Sequence, residues 1–158
     1  MVIIVTGKIN SNKTTKMLEI YKKNKIGDGF ISIKNMVHDT VHSYDAMQLS
    51  TQEKNVLIKR TTFFDNDFEI ACQIGPYLFN ETTLRWIDQS IIKLVHKGIS
   101  PIYLDEIGLL ELEDKGLHKT LSYLIKKKIP LILSIREDLV EAIKTKYNIE
   151  INEIVYAS

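Results

Sequence analysis

A lysine and two threonines follow a glycine near the start of the chain, and their spacing is typical of phosphate binding. Gly7 ends a short apolar run, and Lys13 stands six residues later, directly before two threonines. In a loop of this type, backbone N–H groups surround anionic oxygens, the lysine contacts the terminal phosphates and the next hydroxyl binds Mg²⁺. We therefore expect this loop to bind a nucleotide through Gly7, Lys8, Ile9, Asn10, Ser11, Asn12, Lys13, Thr14 and Thr15.

Asn12 occupies the position where such loops usually carry a second glycine. Glycine is favoured there because the backbone approaches the phosphate closely and tolerates positive φ. Asparagine is among the other residues that adopt this left-handed conformation most readily. The loop interior contains no further glycine, and Lys8 offers a second positive charge. A plain strand-to-helix connection without a ligand remains the alternative.

Two carboxylates, Asp105 and Glu106, end the apolar segment 101–105. A carboxylate at such a strand end holds Mg²⁺, usually through water, and a second one polarises the attacking water. We assign Asp105, with Thr14, to the metal, and Glu106, with Lys13, to catalysis. The alternative is that the pair merely ends a strand, but its occurrence downstream of the phosphate loop strengthens both assignments.

Two further residues are candidates for supporting roles. Arg136 follows the apolar segment 131–135 and could stabilise phosphate charge, although Glu137 and Asp138 offer ordinary salt bridges, which we favour. Glu111 could orient the loop after the carboxylate pair, lie near the metal or be simply solvated. Ser134 is a weaker candidate for a polar contact.

The elements that must position these residues alternate between strands and helices. This alternation predicts an α/β fold of three α/β/α layers, with a mostly parallel central sheet and a hairpin at 44–60 inserted after the second strand. A Gly-Pro turn is expected at 74–77. Strands are predicted at 2–6, 29–33, 101–105, 131–135 and 149–155, and helices at 14–24, 81–97, 114–127 and 137–146.

Composition bounds the function. The chain of 158 residues is 44% hydrophobic and 26% charged, as expected for one globular domain spanning 1–158. A net charge of +1 argues against specific nucleic-acid or membrane binding, and no stretch is long enough to span a bilayer. The lone Cys72 excludes an internal disulfide and is expected to be buried and inert. We expect a cytoplasmic protein.

Other polar and aromatic residues are expected to be structural. We interpret His38, Asp39 and His42 as surface groups of a polar loop, because no fourth metal ligand is apparent. Trp86 is expected in the core or an interface. The lysines 126–128 end a predicted helix, where cations suit its dipole.

Five segments occur in an order that resembles a small family of P-loop nucleoside-triphosphatases, which includes broad-specificity thermophile enzymes and the human cancer-related nucleoside-triphosphatase. The most specific match is Asp105-Glu106-Ile107-Gly108 followed by Glu111-Leu112. The resemblance implies the P-loop fold and Mg²⁺-dependent hydrolysis of ATP, GTP and other nucleoside triphosphates to diphosphates. This chain departs from the family at Asn12 and in the glycine- and arginine-poor region 34–60. The segments are VIIVTGKINSNKTT, DGFIS, QIGPY, PIYLDEIGLLELED and LILSIRED.

Two other functions stay open. Asn12 and the glycine-poor loop suit a non-hydrolysing nucleotide sensor, or a pseudo-enzyme acting through a protein partner. A nucleotide or small-metabolite kinase is compatible with the fold. Against a kinase, the middle of the chain offers only Arg60 and Arg85 where an arginine-rich lid would be expected.

Overall fold

Apolar, β-branched runs alternate along the chain with amphipathic segments. In the computed structural model, which describes residues 1–157, the apolar runs form one nine-stranded sheet and the amphipathic segments form helices on both of its faces. The helices are α1 (Lys13–Asn24), α2 (Glu81–His96), α3 (Leu109–Leu112), α4 (His118–Lys126) and α5 (Val140–Tyr147). The strands are β1 (Val2–Gly7), β2 (Asp28–Val37), β3 (Thr40–Gln48), β4 (Lys54–Arg60), β5 (Ile70–Ile74), β6 (Tyr77–Asn80), β7 (Ile102–Ile107), β8 (Leu131–Arg136) and β9 (Glu153–Tyr156).

The strand order is β5-β6-β4-β3-β2-β7-β8-β1-β9. The five strands from β2 to β9 in this order run parallel, and β1 pairs with β8 in register from Val2–Leu131 to Gly7–Arg136. Apolar residues predominate in β1, β7 and β8 up to their carboxyl ends, as expected of strands that are covered on both faces. Their carboxyl ends, which carry the candidate site residues, therefore meet at one edge of the sheet.

The sheet is packed on both faces. Because side chains alternate along a strand, Ile4 and Val5 of β1 point to opposite sides. Ile4 joins the core beneath α2, α4 and α5, which includes Ile91 and Leu121. Val5 packs with Met17 of α1 on the other face. This arrangement confirms the predicted three-layer α/β fold.

The antiparallel part of the sheet is larger than predicted. The predicted hairpin at 44–60 is present as β3 and β4, but two more hairpins accompany it. β2 and β3 form one around a turn at residues 38–39, and β5 and β6 form the other at the predicted Gly75-Pro76 turn. The sheet is consequently mixed, with four parallel and four antiparallel strand pairings.

Three local expectations need correction. The strand predicted at 149–155 is present as β9, which begins only at Glu153. The helix predicted at 114–127 begins only at His118, because left-handed Asp114 and Gly116 keep the preceding residues in a turn. His38 and Asp39 are exposed residues of a turn, as predicted, but His42 is not part of this loop. It lies in β3, forms a hydrogen bond at 2.8 Å with Ser43 and contacts the ring of Phe63.

The remaining structural residues lie close to where they were expected. Trp86 packs edge-on against Phe30 at 5.0 Å between ring centroids, within the core beneath α2. Cys72 is half-buried rather than fully buried, and burial raises the pKa of its thiol. No helix among residues 1–157 combines the length and the apolar character needed to cross a membrane.

Candidate active site

The phosphate loop folds back over Gly7 between β1 and α1. The N–H of Ser11 donates to the carbonyl of Lys8 at 3.2 Å, and this turn leaves no room for a side chain at position 7. A Cβ atom there would lie 2.2 Å from Ser11 Oγ. Asn12 has φ 66° and ψ 34°, which is the left-handed backbone that a glycine would supply. The chain thus reaches the start of α1 with asparagine at this position.

Lys13 is the first residue of α1, and its side chain turns back into the loop. The residue is 6% exposed, and its Nζ donates to the carbonyl of Lys8 at 3.0 Å. An ammonium group held inside the loop adds to the positive end of the helix dipole. The loop therefore combines two sources of positive potential, as an anion site requires.

Asp105 is buried at the end of β7, where three donors converge on its carboxylate. Thr14 Oγ1 donates to Oδ2 at 2.6 Å, and the N–H of Ser32 donates to the same oxygen at 3.0 Å. Ser134 Oγ donates to Oδ1. The carboxylate thereby joins the first turn of α1 to β2 and β8, and its position relative to the phosphate loop is fixed from three directions.

Glu106 is turned away from Asp105 by an irregularity in β7. The pairing with β8 is regular up to Leu104 and resumes at Ile107, with a bulge between them. Glu106 adopts φ 59°, and its N–H donates to Ser134 Oγ at 2.7 Å. Bulges commonly re-aim side chains next to active sites. Here the bulge leaves Asp105 buried and Glu106 exposed to the cleft.

The environment of Glu106 favours its protonated form. Although the residue is exposed to the cleft, the surrounding protein displaces bulk water, and this desolvation is the main cause of the raised pKa. The charge of Asp105 raises the pKa of Glu106 further, whereas the cations Lys13, Lys34 and Arg136 oppose the shift. The result is a carboxylate that is more basic than an ordinary glutamate.

One cleft of about 640 Å³ contains most of the predicted site residues. Gly7 and Lys8 do not line the cleft. The carbonyl of Lys8 accepts the hydrogen bond from Lys13, and Gly7 leaves room for the turn of the loop. The cleft also extends past Glu106 to apolar and aromatic residues of β3, β4 and β6. Of the predicted site residues, it is lined by Ile9, Asn10, Ser11, Asn12, Lys13, Thr14, Thr15, Asp105, Glu106, Glu111 and Arg136.

Glu111 holds the loop that follows the carboxylate pair. Its two carboxylate oxygens accept from the N–H of Gly108 at 2.7 Å and the N–H of Leu117 at 2.8 Å. The residue is 4% exposed, and burial raises its pKa while these amide hydrogen bonds oppose the rise. A Cβ atom at Gly116 would lie 2.3 Å from Glu111 Oε2. Among the three alternatives, the geometry favours orientation of this loop.

Arg136 lines the cleft, but its guanidinium is engaged within its own loop. Nε and Nη2 donate to the two carboxylate oxygens of Asp138 at 2.5 and 3.0 Å. This bidentate salt bridge is the interaction that the sequence favours for Arg136. Its charge nonetheless acts on Glu106, as noted above.

The oxygen atoms of Thr14 and Asp105 suit Mg²⁺. The cation prefers hard oxygen ligands and takes one or two carboxylates from the protein, with waters and phosphate oxygens completing its shell. The neighbouring Thr14 Oγ1 and Asp105 Oδ2 provide one hydroxyl and one carboxylate oxygen. Among residues 1–157, no cluster of three or more His, Cys, Asp or Glu side chains forms a cage for a metal. A site completed by the phosphates of a nucleotide fits this donor set.

Several residues at the site carry no clear signal in the sequence. Ser134 is more central than predicted, because it contacts both Asp105 and Glu106. Ser32 acts through its backbone, which no residue type reveals. Lys34 and Tyr44 also line the cleft. Only the folded sheet, in which β2 lies between β3 and β7, identifies them.

Two solved structures share this fold. The crystal structure of THEP1 from the hyperthermophile Aquifex aeolicus aligns with a TM-score of 0.68 and 20% identity over 100% of this chain and 89% of that chain. The solution structure of a human cancer-related nucleoside triphosphatase aligns with a TM-score of 0.61 and 16% identity over 98% of this chain and 87% of that chain.

No curated protein matches the sequence. The two structural similarities support the P-loop NTPase fold seen in the strand order and in the loop between β1 and α1. At the level of sequence, the model of a family described as NTPase matches residues 2–157, and the chain therefore belongs to this NTPase family.

Proposed function

We propose that the protein hydrolyses nucleoside triphosphates to nucleoside diphosphates and phosphate in a Mg²⁺-dependent reaction. One observation carries the proposal: the hydroxyl of Thr14 is hydrogen-bonded to Asp105, so the phosphate loop and the carboxylate pair share one cleft. Each feature alone has a structural alternative. Their juxtaposition is the arrangement that phosphoryl transfer needs.

In this proposal, the backbone of residues 8–12 and the ammonium of Lys13 bind the β- and γ-phosphates. Thr14 and Asp105 would hold Mg²⁺, which when bound would neutralise charge on the phosphate oxygens. The roles proposed here for this chain all concern the phosphates and the metal rather than the base, which supports a broad choice among ATP, GTP and other nucleoside triphosphates.

Glu106 accepts the proton of the attacking water. The water oxygen forms a bond to the γ-phosphorus while the bond to the β,γ-bridging oxygen breaks, and the diphosphate leaves. The raised pKa of Glu106 suits this role, because a general base becomes more effective as its pKa approaches the working pH. Ser134 Oγ positions Glu106 by accepting a hydrogen bond from the backbone N–H of Glu106.

The test begins with calorimetric titration of the protein with Mg²⁺ and a non-hydrolysable ATP or GTP analogue. We expect binding in the wild type and its loss in Lys13→Ala; unchanged affinity in the variant would refute the site. Phosphate release is then measured for Glu106→Gln. The variant should retain binding and lose roughly 10²–10⁴-fold in turnover, with exposed Glu113→Gln as the matched control. Full activity of Glu106→Gln would refute its role.

A further inference from the structure

Part of the cleft is not used by the residues assigned to hydrolysis above. Beyond Glu106 it continues into an apolar and aromatic region that we call the acceptor compartment. Neither the phosphates nor the metal of the proposed reaction requires this region. It is lined by Tyr44, Leu57, Ile58, Tyr77, Phe79 and Leu84.

Strand order shows on which side of the reaction the acceptor compartment lies. The phosphate loop follows β1, and the next strands in the sheet are β8, β7 with Glu106, β2, β3, β4 and β6. The compartment residues of β3, β4 and β6 therefore lie on the opposite side of Glu106 from the loop. In phosphoryl transfer the attacking and leaving oxygens are roughly in line. Since the loop holds the leaving diphosphate, the compartment lies on the side of the nucleophile.

Tyr44, in the wall of the compartment, lines the same cleft as Glu106. Burial, followed by the neighbouring Tyr77 and the charge of Glu106, raises the pKa of Tyr44 to about 12. Lys34 lines the same part of the cleft and acts on Glu106 with the opposite sign. A molecule bound against Tyr44 would consequently lie beside both Glu106 and a cation.

The chemistry of the compartment suits a flat ring. The rings of Tyr44 and Tyr77 lie 6.0 Å apart at 71°, and the guanidinium of Arg60 stands 5.9 Å above Tyr77. Ile58 and Phe79 add apolar surface. Aromatic walls with a few polar groups are typical of pockets for small planar ligands. A nucleoside offers a planar base for these rings and sugar hydroxyls that can face Glu106.

A second loop contributes apolar residues to the cleft. Leu110, Gly116 and Leu117 line the cleft from the loop that Glu111 fixes through its two amide hydrogen bonds. An enclosed, apolar site displaces water from the neighbourhood of the γ-phosphate when it is filled. Displacement of water is what a transfer reaction needs if hydrolysis is to be suppressed.

We propose that the acceptor compartment binds a nucleoside, and that the protein transfers the γ-phosphate of a nucleoside triphosphate to a hydroxyl of this nucleoside. Glu106 takes the proton of the hydroxyl, whose oxygen bonds to the γ-phosphorus. The bond to the β,γ-bridging oxygen breaks, which yields a nucleoside monophosphate and a nucleoside diphosphate. Water is the nucleophile when the compartment is empty. The inference rests on the nucleotide binding proposed above.

The experiment incubates the protein with Mg²⁺, ATP labelled in its γ-phosphate and, separately, adenosine, guanosine, cytidine, uridine or thymidine. Chromatography then measures the label in nucleoside monophosphate and in free phosphate. We expect transfer to at least one nucleoside. The ratio of transferred to released phosphate should fall about tenfold or more in Tyr44→Ala and be kept in Tyr44→Phe, which retains the ring. Ile58→Ala on the neighbouring strand replaces Tyr44→Ala if that variant does not fold.

The outcomes separate the two proposals. Label found only in free phosphate, with every nucleoside, overturns the acceptor site and leaves the hydrolase standing. Transfer that neither Tyr44→Ala nor Ile58→Ala changes also overturns it, since the acceptor would then bind elsewhere. Absence of both products, together with no calorimetric binding of the ATP analogue, overturns the proposed nucleotide site and the acceptor site with it.

Discussion

The hydroxyl of Thr14 donates a hydrogen bond to the carboxylate of Asp105 at 2.6 Å, across 91 residues of sequence. Thr14 lies in the first turn of α1, and Asp105 lies at the end of β7, with β8 and β1 completing the link between them in the sheet. The two oxygen atoms are thus direct neighbours. This contact ties the phosphate loop to the strand that carries the proposed general base.

Removal of the Thr14 hydroxyl should lower the apparent affinity of the protein for Mg²⁺. In Thr14→Ala, Asp105 keeps its bonds from Ser32 and Ser134, so we expect the fold to survive. The Mg²⁺ concentration for half-maximal phosphate release should rise by roughly tenfold or more, on the scale seen when partners of metal sites are removed. Thr14→Ser, which keeps the hydroxyl, is the control. A magnesium dependence equal to that of the wild type would remove Thr14 from the metal site.

The pH dependence of hydrolysis should report the ionisation of Glu106. The general base must be ionised, and the pKa of Glu106 is raised above its ordinary value of 4.5. As pH falls, kcat/KM should therefore decline through this raised pKa, at a higher pH than an ordinary glutamate would produce. The residual rate of Glu106→Gln should lack this acidic limb. An unchanged limb in that variant would assign it to another group.

Glu111 should be a stability residue rather than a catalytic one. In Glu111→Gln, the side-chain oxygen can accept only one of the two amide bonds, and the new NH₂ faces the other N–H. We expect the free energy of unfolding to fall by about 1–3 kcal/mol, the cost of an unsatisfied buried group. Denaturant unfolding measures this, with exposed Glu113→Gln as control. Equal stability of the two variants would contradict the role.

Substitutions of Asn12 test whether this residue limits the rate of hydrolysis. Alanine disfavours the left-handed backbone of this residue, so Asn12→Ala should lower the free energy of unfolding by about 1 kcal/mol. Asn12→Gly supplies the same conformation without strain and should leave turnover close to that of the wild type. A large rise in phosphate release by Asn12→Gly would show that the natural loop limits hydrolysis, as a nucleotide sensor would require.

The parallel half of the fold was predictable because its signals are local. The apolar runs of β1 and β8 end within one residue of the predicted bounds, and α1 begins one residue earlier than expected. The antiparallel hairpins were harder to predict. β2 continues from the apolar run 29–33 into the mixed segment 34–37, which pairs with β3 at the edge of the buried core and carries no continuous apolar pattern.

The contacts within the site depend on three-dimensional structure. Asp105 and Glu106 stand out in the sequence as a carboxylate pair, but the bulge and the φ of 59° that separate their side chains do not. The same holds for Ser134, whose neighbours in β8 resemble any buried strand. The acceptor compartment brings together three strands that the sequence pattern identified only in part.

The pairing of β1 also bears on when the phosphate loop can form during synthesis. In the described part of the chain, β1 pairs only with β8 and β9. Val2 is paired with Leu131 of β8, and Ile3 is paired with Glu153 of β9. A ribosome delivers the N-terminal residues first, yet this strand has no neighbour until those late segments emerge. The hairpins of β2 to β6 pair over short separations and can close earlier, since local contacts form faster. Nascent chains should therefore acquire nucleotide binding only after β8 and β9 have been synthesised.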